Sequence, residues 1–146
     1  MLFLTFLIAC GAAAATGYFF QPGTWYDELQ KPDVTPPRWV FPVAWSVLYV
    51  LIAWAASRLA VIPGSGTVMA LWSAQIALNT LWTPVFFGAH RTDIALGIII
   101  LLWLIVALMT FLSVWLDAWA AMMFLPYLAW LTIAAGLNHA IWQDNR

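Results

Sequence analysis

Five apolar runs make up most of this 146-residue chain, and each is close to the roughly 20 residues that an α-helix needs to cross a bilayer. They cover residues 2–20, 39–60, 67–87, 93–115 and 118–142. Hydrophobic residues form 65% of the sequence, whereas soluble domains are about 45–50% apolar, and one small soluble core could not bury so much apolar surface. The sequence therefore predicts an all-α integral membrane protein, a five-transmembrane-helix bundle that forms a single domain over residues 1–146.

The sparse charges and the single cysteine exclude several classes of function. The net charge of −1 provides no basic footprint for nucleic acid. Cys10 is the only cysteine, which excludes an internal disulfide and a cysteine-based metal site. The runs contain no paired carboxylates and no nucleophile–base set, so conventional hydrolysis or acid–base catalysis is not expected. His90 and His139 stand alone near run ends, and we predict neither catalytic residues nor a metal site.

An odd number of crossings places the two termini on opposite sides of the membrane. One side then carries Lys31, Arg38, Arg91 and Arg146, while the other carries Arg58 alone. Basic residues favour the cytoplasmic side. We therefore predict an N-terminus outside and a C-terminus in the cytoplasm; hydrophobicity is compatible with the inner or the outer membrane of a bacterium. Asp93 and Asp117, at the starts of the last two runs, are predicted helix N-caps.

The loop 21–38 is longer than most helix–helix connections. It contains Trp25, Tyr26 and four prolines, and prolines favour a defined shape because they lower the entropy of the free loop. Two interpretations remain open. The loop is either a lid over the mouth of the bundle, or a segment whose aromatic residues anchor it in the membrane interface.

Eleven tryptophans are present, and several lie in the middle of apolar runs, which an interfacial aromatic belt does not explain. Polar side chains within a bilayer face the bundle interior or a cavity, so Gln75 and Asn79 define the inward face of the third run. We predict a cavity for a flat, apolar ligand. The alternative for Asn79 is an interhelical hydrogen bond, which we favour for Asn138. The cavity residues are Trp45, Tyr49, Asn79, Trp82 and Trp130.

Small residues recur at helical spacing on the third run. Ala70, Ala74 and Ala77 are four and three residues apart, and small residues at that spacing let helix backbones approach closely. We predict that these alanines form the interface of a homodimer. Packing within the bundle is the alternative, as it is for the small residues from Gly11 to Gly17.

Short motifs in a fixed order run through all five apolar stretches and the first loop. They are Trp25-Tyr26, Leu29, Lys31-Pro32, Pro36-Pro37, Phe41, Trp45, Leu48-Tyr49, Asn79, Trp82 with Pro84, Phe86-Phe87-Gly88, Pro126-Tyr127, Trp130 and Gly136-Leu137-Asn138. In this order and spacing they resemble the tryptophan-rich sensory protein and translocator protein family, most closely the versions found in photosynthetic proteobacteria. The resemblance implies a five-helix bundle that is commonly dimeric.

The same resemblance implies a membrane receptor or sensor that binds tetrapyrroles, such as protoporphyrin IX and heme, and modulates porphyrin metabolism or the stress response. The porphyrin or heme would be a ligand and not an obligatory cofactor. Alternatives are a light- and oxygen-dependent degradation of porphyrin, or the transport of a tetrapyrrole or sterol. Carried over residue by residue, the resemblance implies ligand binding by Trp25 at the cavity mouth and by Trp45, Tyr49, Asn79, Trp82, Trp130 and Gly136.

One loop position departs from the family pattern. Between its two proline motifs the family usually carries one or two tryptophans, whereas this chain has Asp33, Val34 and Thr35, which predicts weaker stacking on a porphyrin. Cholesterol, which eukaryotic members bind, is a weaker candidate because the short sterol pattern with Tyr before a basic residue does not occur. Lys31 or Arg38 could meet a propionate at the wet rim, although both also fit interfacial anchors.

Overall fold

The computed structural model describes all 146 residues, and its only regular secondary structure is helical. The helices are α1 (Leu2–Phe19), α2 (Thr24–Glu28), α3 (Val40–Leu59), α4 (Gly66–Thr83), α5 (Thr92–Ser113) and α6 (Ala118–Asp144), with a π-helical turn at Pro84–Gly88. Four of them, α1, α3, α5 and α6, are long and apolar enough to cross a membrane. α4 is as long as α1, but polar residues such as Gln75 and Asn79 make it less apolar. The chain is therefore an all-helical membrane protein.

The five long helices pack around one apolar core. α1 contacts α3 and α4, α5 lies between α4 and α6, and α3 also contacts α6. Alanines such as Ala53 and Ala56 of α3 are fully buried and allow close approach, whereas α6 fills the core with Phe124 and Tyr127. Only 30 of the 146 residues are buried, and large apolar side chains cover the outer faces. Such a surface suits contact with lipid and would promote aggregation in water.

The two predicted N-caps have different outcomes. Asp117 caps α6 as predicted, because its carboxylate accepts a hydrogen bond of 3.0 Å from the backbone N–H of Trp119. The prediction for Asp93 is wrong, since α5 begins at Thr92 and Asp93 lies inside its first turn. Its carboxylate instead binds the guanidinium of Arg91 at 2.9 and 2.7 Å. Arg91, two residues earlier, is thus the main hydrogen-bond partner of this side chain.

Asp117 also joins α6 to the end of α3. Its carboxylate accepts hydrogen bonds from Nε of Arg58 at 2.6 Å and from Nη2 at 3.2 Å. The bond from Arg58 and those from backbone N–H groups together hold the pKa of the Asp117 carboxyl below its usual range. The carboxylate is therefore stabilised in the folded protein relative to the unfolded chain.

We expect the stabilisation by Asp117 to depend on pH. It is fully present above the usual carboxyl pKa of about 4 and is lost as the pH falls through the lowered pKa of the folded state. Thermal unfolding in detergent should therefore show a larger fall in Tm between pH 5 and pH 3 for the parent than for Asp117→Asn. At pH 7, Asp117→Ala should destabilise α6 by about 1 kcal/mol through loss of the cap alone. Equal pH profiles for parent and Asp117→Asn would contradict the prediction.

The first loop contains the short helix α2, which the hydropathy pattern did not predict. The ring of Tyr26 packs against Phe86 and Phe87 of the π-helical turn, and Tyr26 is only 8% exposed. Nζ of Lys31 donates to the carbonyl oxygens of Tyr26 at 2.6 Å, Leu29 at 3.1 Å and Asp27 at 3.4 Å. Carbonyls in the last turn of a helix are free to accept further hydrogen bonds, so Lys31 joins its own segment of the loop to the end of α2.

Two further contacts hold the loop against the rest of the protein. The backbone N–H of Gln30 donates to Oδ1 of Asn145, and Nδ2 of Asn145 donates to the carbonyl of Gln30, both at 2.9 Å. On the other side, the ring of Trp25 stacks on His90 with centroids 4.0 Å apart. His90 has a φ of 55°, a left-handed conformation that is uncommon for a residue other than glycine. The loop is therefore docked on both α6 and the connection that precedes α5.

Candidate functional site

A cavity of about 560 Å³ opens between the helices below the first loop. Its size falls within the range of about 300–1,000 Å³ that is typical of small-molecule sites. Residues from α1, α3, α4, the π-helical turn, α5, α6 and the loop form its wall. Nine of the lining side chains are aromatic: Phe20, Tyr26, Phe41, Trp45, Tyr49, Trp82, Phe86, Phe87 and Trp130.

Helical spacing brings the aromatic side chains onto this wall. Phe41, Trp45 and Tyr49 recur every four residues of α3 and therefore share one face. Trp130 begins an equivalent stripe on α6, which continues through Ala134. The small side chain of Ala134 leaves space one turn beyond the indole, so the two helices enclose a slot and do not close on each other.

The aromatic rings contact one another around the slot. Trp45 stacks on Tyr49 with a centroid distance of 5.6 Å and meets Trp130 edge to face at 6.3 Å. Trp82 stacks on Phe86 at 4.8 Å. Contacts of this kind add to the stabilisation that burial provides, so the wall is held in shape by its own side chains.

A chain of hydrogen bonds lies behind the aromatic wall. The hydroxyl of Tyr49 donates to Oδ1 of Asn79 at 3.0 Å, and Nδ2 of Asn79 donates to the hydroxyl of Tyr127 at 2.9 Å. Tyr127 in turn donates to Oε1 of Gln75 at 2.6 Å. The chain links α3, α4 and α6 and fixes the orientation of the Tyr49 ring. Two buried donors, Nε2 of Gln75 and Nε1 of Trp130, have no hydrogen-bond partner in the protein.

A second polar contact fixes the other side of the wall. Nε1 of Trp82 donates to Oδ1 of Asn138 at 3.1 Å, and Nδ2 of Asn138 donates to the carbonyl of Thr92 at 2.9 Å. The prediction that Asn138 makes interhelical hydrogen bonds is thus confirmed. Asn138 also reaches the cavity wall, so it both orients Trp82 and contributes polarity to an otherwise apolar site.

The rim of the cavity carries Tyr26 and Arg38 from the first loop. Burial raises the pKa of the Tyr26 phenol above its usual value, although the nearby Arg38 partly counteracts the shift. Tyr26 therefore stays neutral at pH 7 and presents an uncharged ring and hydroxyl at the rim.

Comparison with known proteins decides the family. A sequence model of the TspO/MBR family matches residues 3–143 of the chain. The chain belongs to the TspO/MBR family. The tryptophan-rich sensory protein of Cereibacter sphaeroides is 54% identical over 144 residues, which cover 99% of this chain and 91% of that protein. The protein CrtK of Rhodobacter capsulatus is 44% identical over 148 residues, covering 99% and 92%, respectively.

A eukaryotic relative shows the same relationship at lower identity. The translocator protein of Ovis aries is 36% identical over 132 residues, which cover 84% of this chain and 75% of that protein. The resemblance drawn from the motifs is thereby confirmed, including the similarity to proteins of photosynthetic bacteria. This TspO/MBR chain is therefore related to proteins named as sensory proteins and as translocators.

The structure places four of the seven predicted ligand-binding residues together on the cavity wall. These are Trp45, Tyr49, Trp82 and Trp130. Asn79 lies behind the wall, where it holds Tyr49. The ring of Trp25 points to His90 and Phe86 and does not line the cavity. Gly136 is exposed on α6 and likewise lies outside the lining.

The loop residues that depart from the family pattern lie away from the cavity. Asp33 is exposed, Val34 is 81% exposed, and neither lines the wall. An aromatic side chain at either position would extend from the outer surface of the loop in this conformation. The site wall is therefore formed without them.

Several residues in the cavity wall or directly behind it were not singled out from the sequence as ligand-binding. Phe86 follows Trp82 by four residues, and Ala134 follows Trp130 by four, so helical spacing from the predicted residues would have found both. Tyr127 is fully buried behind Trp45, and its three-residue spacing from Trp130 was the available signal. Tyr26 was predicted only as part of a lid or an interfacial anchor.

Proposed function

We propose that this TspO/MBR protein binds a tetrapyrrole, such as protoporphyrin IX or heme, in the aromatic cavity and acts as a membrane sensor of that ligand. The observation that carries the proposal is that nine aromatic side chains line one cavity, which has a polar rim. A porphyrin is a broad apolar plate with two propionates at one edge. Its ring would stack on indole and phenol faces while its carboxylates stay at the rim.

The names of the relatives support a sensory role. The relative from Cereibacter sphaeroides is named a tryptophan-rich sensory protein, and sensing requires a site that holds its ligand reversibly. Neither histidine lines the cavity, so heme would be held through its ring and its carboxylates. The same cavity then accepts metal-free porphyrin and heme by the same contacts.

We also propose that α4 crosses the membrane, which makes five crossings and puts the termini on opposite sides, with the more basic, C-terminal side in the cytoplasm. α4 packs between α1 and α5, and its most polar side chains, Gln75 and Asn79, are buried within the bundle. In a Cys10→Ser background, an impermeant thiol reagent applied from outside should label Pro63→Cys and leave Ala89→Cys unmodified. Labelling of both positions from outside would mean that α4 does not cross.

A homodimer through α4 is a further part of the proposal. Ala70 and Ala77 are exposed on the outer face of α4, and Ala74 is half-buried, so small side chains are available for close approach of a second copy. In detergent, Ala77→Trp should convert a dimeric species to a monomer in sedimentation analysis. A parent protein that is monomeric at all concentrations in lipid nanodiscs would argue against the dimer.

The binding proposal is tested by titrating the purified protein with protoporphyrin IX and following the quenching of tryptophan fluorescence. We expect saturable quenching near micromolar ligand, and Trp130→Ala should weaken the apparent affinity at least about tenfold because stacking on the wall is lost. Trp119→Ala is the matched control, since Trp119 is an exposed tryptophan at the start of α6 and does not line the cavity. Quenching that does not saturate, or that is the same in both variants, would reject the cavity as the porphyrin site.

A further inference from the structure

The cavity wall contains one charged side chain. Of its lining residues, only Arg38 carries a charge, and its side chain is 55% exposed at the rim. Lys31, the other basic residue of the loop, does not line the cavity and is occupied by three backbone carbonyls. Arg38 is therefore the one cation positioned to meet an anionic group of a ligand in this cavity.

Arg38 is paired with Asp27 of α2. The guanidinium donates to Oδ1 of Asp27, and its carbon lies 5.7 Å from the centroid of the Tyr26 ring. Both members of the pair are more than half exposed, and exposed ion pairs contribute little to stability because water screens them. Asp27 does not line the cavity, so it contacts Arg38 from outside the site.

We infer that Arg38 recognises a carboxylate of the ligand and that Asp27 occupies the guanidinium until such a ligand arrives; this inference rests on the proposed function. A guanidinium presents two parallel N–H groups that match a carboxylate. The ligand carboxylate takes the place of the Asp27 carboxylate, while the Tyr26 ring supports the guanidinium. The ligand class is a flat, apolar molecule with a carboxylate at its edge.

The exchange makes the site selective for acids over neutral molecules of the same shape. A neutral ligand gains the aromatic contacts but leaves Arg38 with Asp27. An acid also gains the charged hydrogen bonds to Arg38. The gain in binding free energy is smaller than these bonds alone would give, because the pair between Arg38 and Asp27 is lost. An interfacial anchor at Arg38 would act through the position of the loop and would affect acid and neutral ligands equally.

The test compares protoporphyrin IX with its dimethyl ester, which has the same ring and no carboxylate. We expect Arg38→Gln to weaken binding of the diacid about fivefold, the effect of losing one well-exposed ion pair, and to leave binding of the ester unchanged. Arg91→Gln is the matched control, because Arg91 forms an exposed pair with Asp93 and does not line the cavity. This variant should change the affinity for neither ligand.

A second variant tests the role of Asp27 by a gain of affinity, which a misfolded protein could not produce. Asp27→Asn should strengthen binding of the diacid about twofold, because Arg38 no longer has an internal competitor, and should leave the ester unchanged. Raising the ionic strength should weaken the binding of the diacid and leave the binding of the ester unchanged. If the ester binds but Arg38→Gln affects both ligands equally or neither, the role of Arg38 is wrong and the proposed function stands. If neither ligand binds the parent, the proposed function fails and this inference fails with it.

Discussion

Replacement of Ala134 by Trp should weaken the binding of protoporphyrin IX by about 100-fold, equivalent to about 2.7 kcal/mol. Ala134 lies on the cavity wall one turn beyond Trp130, and its small side chain keeps the space between α3 and α6 open. An indole at this position would project into that space and meet the ring of the ligand. Because interiors of proteins are close-packed, the surrounding aromatic residues have little room to move away.

The measurement is an absorbance titration of the porphyrin, since an added tryptophan complicates fluorescence quenching. Ala129→Trp is the matched control, because Ala129 lies on the same helix, is exposed, and does not line the cavity. It adds the same side chain to the outer face of α6 and should leave the affinity unchanged. Equal affinity of the Ala134→Trp variant and the parent would show that the porphyrin binds elsewhere.

Replacement of Asn79 by Ala should lower the free energy of unfolding by about 3 kcal/mol. Asn79 is 5% exposed and is the middle member of the hydrogen-bond chain behind the wall. Its removal leaves the Tyr49 hydroxyl without an acceptor, takes one partner from Tyr127, and opens a void. Reversible unfolding by denaturing detergent in mixed micelles measures the change.

Two variants calibrate the effect of Asn79. Tyr49→Phe removes only the first hydrogen bond of the chain and should lower stability by about 0.6 kcal/mol, a typical value for one interhelical bond in a membrane. Thr80→Ala follows Asn79 on α4 and removes only a local bond of 2.7 Å to the carbonyl of Ile76, so it should have a smaller effect than Asn79→Ala. If Asn79→Ala and Thr80→Ala are equally stable, the hydrogen-bond chain does not stabilise the bundle.

The sequence predicted the long helices because their formation follows from local chemistry. In a bilayer each backbone polar group has to bond within its own segment, so an apolar run of sufficient length becomes a helix. The same reasoning did not reveal α2. Its five residues are too few for a stable isolated helix, and contacts of Tyr26 with the π-helical turn, distant in sequence, support it.

Helical periodicity predicted which helix faces point into the bundle, but it did not predict whether each side chain lines the cavity or lies behind its wall. Asn79 and Trp82 share the inward stripe of α4, yet Trp82 reaches the cavity while Asn79 lies behind Tyr49. Which of them faces the cavity depends on the position of α3, and spacing within α4 carries no information about it. The direction of the Trp25 ring likewise depends on His90, which lies on a separate connection.

The pairing of Gln30 with Asn145 has a consequence for the order of events during biosynthesis. The two residues are separated by 115 positions, and Asn145 lies just beyond the end of α6. The ribosome completes the loop long before it reaches Asn145, so the contact between the loop and α6 cannot form until the last helix has entered the membrane. Until that moment the aromatic slot between α3 and α6 does not exist either. Assembly of the slot and completion of loop docking are therefore both late steps, which follow the insertion of α6.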